Sequence, residues 1–247
     1  MHRLLSTRSE LDSNYPQLSH DALKHLKVLR PKNGEKIELF DGNGFTRVYK
    51  YNQQTKSLEP ESDLTHHHRP RQSVLTLFAC VTKGARWDWT IEKATELGAD
   101  NIVPVISART VVRVSAVERT QKRERWQRIA EEAARQSDAV YIPVIHEPVD
   151  FSSALSMANK TQCYAGALLD RKIPGLATAL FDSLKTNCVP EFSVFIGPEG
   201  DFTEDEMRSL LDVASPVTFG PRVLRAETAA VYALSVMTSI LDGFGLQ

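Results

Sequence analysis

The chain has 247 residues, of which 42% are hydrophobic and 25% are charged, and its formal net charge is −1. These values are typical of a globular protein with one large core or two smaller ones, and the near-neutral charge excludes a simple polycation that coats nucleic acid. No apolar stretch approaches the roughly 20 residues of a membrane helix, so we expect no membrane association.

The first predicted elements form a small β domain. Residues 36–51 read as two strands around the hairpin signal Asp41-Gly42-Asn43-Gly44. The domain is expected to end within the polar stretch 59–73. That stretch contains His66, His67 and His68, but consecutive histidines in a polar segment lack ligand geometry, so we predict a solvated linker and no metal.

From Val74 onward, strands and helices alternate. The predicted strands are 74–81, 101–107, 142–146, 163–169 and 192–196, and the predicted helices between them are 87–97, 115–136, 151–158 and 176–184. Strand–helix alternation of this kind predicts an α/β domain with a largely parallel sheet.

A glycine-rich loop follows the last of these strands, in the segment IGPEGDFTEDE at 196–206. Thr203 and Glu206 fit a capping box, so a helix begins directly after the loop. Ligands of open α/β sheets gather at such strand-to-helix loops. The loop is neither a phosphate-binding P-loop nor a GxGxxG dinucleotide motif, and GPEG alone is equally compatible with an ordinary tight turn.

A second loop of the same kind precedes the last helix, in FGPRVLRAETAAVYAL at 219–234. A short strand over 217–219 leads into Gly220-Pro221, and the helix begins near Ala226. Its apolar stripe at Ala229, Ala233, Val236, Met237 and Ile240 is expected to be core. Two Gly-Pro loops on successive strands are able to enclose a flat ligand with backbone groups.

Together the two loops resemble the ligand-binding motifs of the RsmE family, the 16S ribosomal RNA uracil-N3 methyltransferases of the SPOUT class. The similarity extends to HLKVLR at 25–30 with Gly34, to Lys83-Gly84, to EKATELGADNIVPVISAR at 92–109 and to RWQRIAEEAARQS at 125–137. These motifs occur in the family's order over nearly the whole chain.

The resemblance implies a PUA-like β-barrel domain that binds RNA at 1–70 and a SPOUT methyltransferase domain at 71–247. It implies an α/β fold with a parallel sheet and a trefoil knot, which no periodicity reveals. It also implies a homodimer, S-adenosyl-L-methionine as cofactor, and 16S ribosomal RNA or the small ribosomal subunit as partner. The isolated cysteines Cys80, Cys163 and Cys188 suit a reducing cytoplasm.

The residues that the resemblance assigns to the cofactor pocket are Leu169, Ile196, Gly197, Pro198, Glu199, Gly200, Phe219, Gly220, Val223, Leu224, Thr228 and Ala229. A uracil N3 nucleophile must lose its proton, and the ring must then carry negative charge. We assign charge stabilisation to Arg225 and the role of base or orienting acceptor to Glu227. The alternative for this pair is an ion pair that caps the last helix.

RNA contacts are predicted for basic side chains in the matched regions, because Lys and Arg position the phosphate backbone. They are Arg3, Lys24, Lys27, Arg30, Lys32, Lys83 and Arg109. The chain departs from the family pattern in two places: Ala139 and Tyr141 stand where arginines are usual, and Asp201 stands where a third glycine is usual.

Three other functions fit the sequence less well. They are a SPOUT methyltransferase for another RNA site, a non-catalytic RNA-binding module of the same fold, and a nucleotide-phosphate enzyme. The last is disfavoured because neither loop offers the lysine that phosphoryl transfer recruits.

Overall fold

The computed structural model describes residues 1–61, 65–167, 172–186 and 191–245. The contacts divide the chain into two compact units. The first contains Met1–Pro70 and Glu131–Ile142, and the second contains Arg71–Ala130 and Pro143–Gln247. The domain boundary at residues 70 and 71 stays a prediction.

The first unit holds a five-stranded sheet with two helices. Its strands are β1 (His2–Leu5), β2 (Lys36–Phe40), β3 (Phe45–Asn52), β4 (Ser57–Pro60) and β5 (His66–His67), and its helices are α1 (Arg8–Leu11) and α2 (His20–Leu29). β1 is parallel to β2, whereas β3 pairs antiparallel with β2, β4 and β5. The predicted hairpin over 36–51 is confirmed.

The prediction of a solvated linker at the histidine run is wrong. His66 and His67 form β5, where they pair with Thr46 and Phe45. The strand is too short for its two residues to produce a period-2 signal, and its stability comes from the neighbouring strand β3.

Residues far along the chain complete the first unit. The hydroxyl of Tyr141 donates a hydrogen bond of 2.7 Å to the carbonyl of His68. The ring approaches Gly44 so closely that a Cβ there would lie 2.2 Å from the Tyr141 hydroxyl, and Gly44 also has φ +91°. Only glycine satisfies both conditions. Tyr141 stands where the family pattern usually has an arginine. In this chain its side chain packs within the first unit.

The second unit holds a parallel sheet of seven strands. They are β6 (Val74–Cys80), β7 (Asn101–Ile106), β8 (Val144–Ile145), β9 (Val149–Asp150), β10 (Gln162–Gly166), β11 (Glu191–Ile196) and β12 (Ala214–Val217). The order is β12-β10-β11-β6-β7-β8, with β9 also paired to β7. The helices are α3 (Ala85–Glu96), α4 (Ala116–Gln136), α5 (Phe151–Ala158), α6 (Leu176–Thr186), α7 (Glu204–Leu211) and α8 (Ala226–Gly243). The last turns of α4, from Glu131 onward, belong to the first unit. The α/β class with a parallel sheet is confirmed, and the knot stays a prediction.

One strand lies earlier than the sequence suggested. β12 covers Ala214–Val217 rather than 217–219. The side chain of Thr218 accepts a hydrogen bond from the Gly220 N–H and lies 3.1 Å from the Gly220 carbonyl, which bends the backbone into the loop instead of extending the strand.

Helices cover both faces of this sheet. α8 packs against β6, β11, α3 and α6, while α5 contacts β7 and α7. Buried side chains on the α5 and α7 side include Phe78, Val103, Phe195, Phe202 and Leu210. Since both faces are covered, the strands read as continuous apolar runs. No helix within the described ranges has the length and apolarity to cross a bilayer.

Candidate functional site

A cavity of about 310 Å³ lies at the carboxyl ends of β10, β11 and β12. Its walls come from Gly166 and Ala167 after β10, from the GPEG loop after β11, from the second Gly-Pro loop after β12, and from the first turn of α8. Three adjacent parallel strands thus deliver their loops to one edge of the sheet, the usual ligand position in this architecture.

Most residues predicted for the cofactor pocket line this cavity. They are Ile196, Gly197, Pro198, Glu199, Phe219, Gly220, Val223, Leu224 and Ala229, together with Arg225. Gly200, Thr228 and Glu227 are adjacent in sequence but are not part of the lining, and Leu169 lies outside the described residues.

Sequence reasoning missed six lining residues: Gly166, Ala167, Asp201, Thr218, Arg222 and Ala226. Asp201, Arg222 and Ala226 lie within the two loop segments that were recognised, and Thr218 lies within the short strand predicted over 217–219. Gly166 and Ala167 lie within the strand predicted over 163–169, but only the strand order brings that strand beside β11 and β12.

The GPEG loop is held in place by two arginines. Arg109 Nη1 donates hydrogen bonds of 2.9 Å to the carbonyl of Gly200 and 3.2 Å to that of Phe202. Arg86, on the first turn of α3, forms an ion pair with Glu199. The sequence did not single out Arg86. The loop that walls the cavity is therefore tied to two other elements by charge-assisted hydrogen bonds.

Asp201 explains one departure from the family pattern. Its φ is +59°, a left-handed conformation in which a glycine is unstrained. Aspartate is among the few other residues that adopt it readily, and here the Asp201 carboxylate accepts a hydrogen bond of 2.8 Å from the Phe202 N–H. The loop thus keeps its shape without the third glycine.

The second loop places Phe219 against β10. A Cβ at Gly166 would lie 2.4 Å from Phe219 Cε2, so the ring packs directly on the glycine backbone. The ring also contacts Tyr232 of α8, at a centroid distance of 5.5 Å. Phe219 is consequently fixed as one apolar wall of the cavity.

Arg225 and Glu227 differ in their surroundings. Arg225 is exposed, lines the cavity and occupies the N-cap of α8 without a side-chain capping bond. Glu227 Oε2 is buried and has no hydrogen-bond partner among the described residues. No ion pair joins the two within that part of the chain, so the structure does not contain the capping pair considered above. A buried carboxylate oxygen without a donor needs one from water or substrate.

Two of the residues predicted to contact RNA have their guanidinium groups engaged inside the protein. Arg3 is 5% exposed and donates to Glu38 Oε2 and to the carbonyls of Ala134 and Ala139. A side chain so buried cannot present its charge to a phosphate, so the assignment of Arg3 to RNA is corrected to a structural role. Arg109 is exposed, but its Nη1 holds the GPEG loop.

The remaining basic residues predicted to contact RNA are exposed to solvent. Lys24, Lys27, Arg30 and Lys32 are exposed in or after α2, and Lys83 is exposed before α3. Arg30 has the left-handed backbone conformation at the C-cap of α2, with φ +48°. No group of three or more candidate metal ligands occurs within the described ranges.

The buried thiols Cys80 and Cys163 are not part of the cavity lining. Burial raises the pKa of Cys80 to about 12 and that of Cys163 to about 11. Cys188 lies outside the described residues. The site therefore depends on backbone groups, apolar walls, Arg225 and neighbouring carboxylates.

Comparison with known proteins agrees with this geometry. A family model described as an RNA methyltransferase domain matches residues 69–238, and a model described as an RNA methyltransferase PUA domain matches residues 18–58. The Ribosomal RNA small subunit methyltransferase E of Bacillus subtilis is 32% identical over 228 residues, which cover 88% of each chain. The chain belongs to the ribosomal RNA small subunit methyltransferase E family. This confirms the family predicted from the two loops.

Solved structures of a methyltransferase E and of a second methyltransferase share the fold. The Neisseria gonorrhoeae protein bound to S-adenosyl methionine has a TM-score of 0.81 and 26% identity, with 97% of this chain and 98% of that chain covered. A Legionella pneumophila protein in complex with the bound cofactor SAM has a TM-score of 0.82 and 27% identity, with coverage of 96% and 97%. The PUA domain expected at the amino terminus of a methyltransferase E is thus confirmed together with the α/β class.

Proposed function

We propose that this protein transfers a methyl group from S-adenosyl-L-methionine to N3 of a specific uridine in 16S ribosomal RNA. The observation that supports this most directly is the cavity between the two Gly-Pro loops, at the carboxyl ends of three parallel strands. The family membership of the chain and the cofactor held by solved family members point to the same reaction.

The residues around the cavity fit the proposed cofactor. A volume of about 310 Å³ suits a small organic ligand. Phe219, Val223 and Leu224 supply apolar surface for an adenine ring, while the glycine backbone at Gly197 brings main-chain groups to the cavity wall. The N–H and carbonyl of Gly220 are already hydrogen-bonded to the Thr218 side chain. When bound, the sulfonium would supply an electrophilic methyl group, and carbonyl dipoles of the two loops would favour its positive charge.

The proposed roles of Arg225 and Glu227 follow from the charge that develops on uracil. Methylation at N3 requires that the N3 proton leave, and the uracil ring then carries negative charge. Arg225 stabilises the negative charge that spreads over the ring oxygens. Glu227 accepts the proton or orients the base through its unpartnered Oε2. Both groups lie in the first turn of α8, at its amino-terminal end.

RNA binding is proposed for the exposed basic groups rather than for the cavity itself. Lys24, Lys27, Arg30 and Lys32 are the exposed candidates in the first unit, and Lys83 and Arg109 are those in the second. Contacts of this kind weaken as salt rises, because they release counterions. We further propose a homodimer in the cytoplasm, a domain division near residue 70 and a trefoil-knotted catalytic domain.

Mass spectrometry of ribosomal RNA tests the function. A strain that lacks the protein is expected to lose 3-methyluridine from 16S ribosomal RNA, and purified protein with S-adenosyl-L-methionine is expected to restore it. Unchanged methylation in the deletion strain would contradict the proposal. Loss of the modification from transfer RNA alone would identify a methyltransferase with another target, and absence of cofactor binding by calorimetry would identify a non-catalytic module.

A further inference from the structure

The first unit carries a three-layer stack on its surface. The rings of Phe45 and His67 are nearly parallel, with an interplanar angle of 10° and a centroid distance of 4.1 Å. The guanidinium carbon of Arg8 lies 3.7 Å from the Phe45 centroid. Two groups this close to one ring cannot share a face, so Phe45 is held between Arg8 and His67.

The backbone fixes both aromatic partners. Phe45 and His67 are directly opposite in the β3–β5 ladder, and the His68 N–H donates to the Gly44 carbonyl at 2.8 Å. The Asp41 carboxylate accepts a hydrogen bond of 3.0 Å from the Phe45 N–H. The stack is therefore formed before any ligand arrives, which reduces the entropy lost on binding.

One face of this stack is open. His67 is exposed, and Phe45 covers only one side of its imidazole. On the far side of the stack, Arg8 uses Nε to bind Asp12, while its terminal nitrogens make no hydrogen bond within the described ranges. The surface thus combines a flat aromatic face with an exposed cation.

We propose that His67 is a stacking platform for an unpaired nucleobase of the RNA substrate, with Arg8 available to an adjacent phosphate. Proteins that hold single-stranded RNA use aromatic faces, histidine included, in this way. The geometry does not favour a metal site here. The His67 ring stacks on Phe45, and no group of three or more candidate metal-binding side chains occurs among the described residues. The inference rests on the proposed RNA substrate and adds a binding site distant in sequence from the catalytic loops.

Two variants at position 67 and a control at position 20 separate stacking from other roles of the histidine. In fluorescence anisotropy with labelled oligouridylate, His67→Ala is expected to lose about 5- to 100-fold in affinity, the value of one base–aromatic stack. His67→Phe retains a flat ring and is expected to bind like the wild type. His20→Ala removes an exposed histidine of α2 that has no stacked partner among the described residues and is expected to change little.

Direct evidence comes from His67→Trp. The fluorescence of the introduced tryptophan is expected to be quenched by single-stranded oligouridylate. It is expected to be unaffected by a duplex of oligouridylate and oligoadenylate, because the bases of a duplex are already paired and stacked. The proposal is overturned if His67→Ala binds as tightly as the wild type, if His67→Phe loses as much affinity as His67→Ala, or if the tryptophan signal does not respond.

Cofactor affinity, measured by calorimetry on the same variants, keeps this inference distinct from the proposed function. It is expected to match the wild type throughout, because position 67 is not part of the cavity lining. A wild-type protein that binds no S-adenosyl-L-methionine would contradict the methyltransferase function, while the oligonucleotide results would still decide the role of His67.

Discussion

Arg225 is both the N-cap of a helix and part of the cavity lining. It is the N-cap of α8, so its backbone φ and ψ are extended, and its side chain leaves the helix toward the cavity. Most N-caps are short polar residues whose side chains bond the helix's own N–H groups. An arginine cannot accept such bonds, which is consistent with a side chain used for a ligand.

We expect Arg225→Ala to lower the turnover of methyl transfer about 100-fold, the typical loss of one charge-stabilising donor. Cofactor affinity should change much less, since the apolar and backbone walls remain. Single-turnover kinetics with 16S ribosomal RNA would measure this. Arg222→Ala is the matched control, because it removes a neighbouring cation from the same cavity lining. Unchanged turnover in Arg225→Ala would remove this residue from the mechanism.

At the level of elements, the loop after β7 supports the loop after β11. Ser107 and Thr110 are joined by a hydrogen bond of 2.9 Å, and the N–H of Ala108 donates to Glu206 at 2.7 Å. Glu206 also completes the capping box of α7 with Thr203. The side chain of Arg109 thus extends to the GPEG loop from a turn that is held by hydrogen bonds.

We expect Arg109→Met to weaken binding of S-adenosyl-L-methionine about tenfold, because methionine keeps most of the side-chain volume but removes both hydrogen bonds to the loop. Isothermal titration calorimetry without RNA would detect the change. Arg113→Ala, an exposed arginine nearby without a recorded partner in the described part of the chain, should bind like the wild type. Equal affinity in Arg109→Met would show that the loop holds its shape unaided.

The sequence predicted the elements of the catalytic unit well, because buried strands and amphipathic helices leave clear periodicities. It also identified the two loops, since Gly-Pro pairs restrict the backbone in recognisable ways. It did not identify Arg86 or the structural role of Arg3, because both depend on contacts between residues distant in sequence. Arg3 meets Ala134 and Ala139 only in the folded chain.

For the whole molecule, two half-buried histidines predict a dependence of stability on pH. Burial lowers the pKa of His146 in the second unit, and burial together with the neighbouring His66 lowers that of His68 in the first. Native protein therefore prefers neutral imidazoles at these positions, whereas the unfolded chain takes up protons near pH 6.5.

The free energy of unfolding is consequently expected to be greatest above about pH 6.5 and to fall as the pH drops below it, until the lowered native pKa values are reached. Thermal unfolding monitored by circular dichroism between neutral and mildly acidic pH would measure this. His146→Gln is expected to reduce the dependence, and His20→Gln, at a solvent-exposed site, is not. An equal slope in His146→Gln and wild type would contradict the assignment.

The buried guanidinium of Arg3 has a consequence for biosynthesis. Two of its acceptors are the carbonyls of Ala134 and Ala139. Tyr141, which belongs to the same late segment, packs against Gly44. A nascent chain that has only reached residue 70 can pair Arg3 with Glu38, but it lacks the two carbonyl acceptors. The first unit can therefore complete its hydrogen bonds only after translation has passed residue 141.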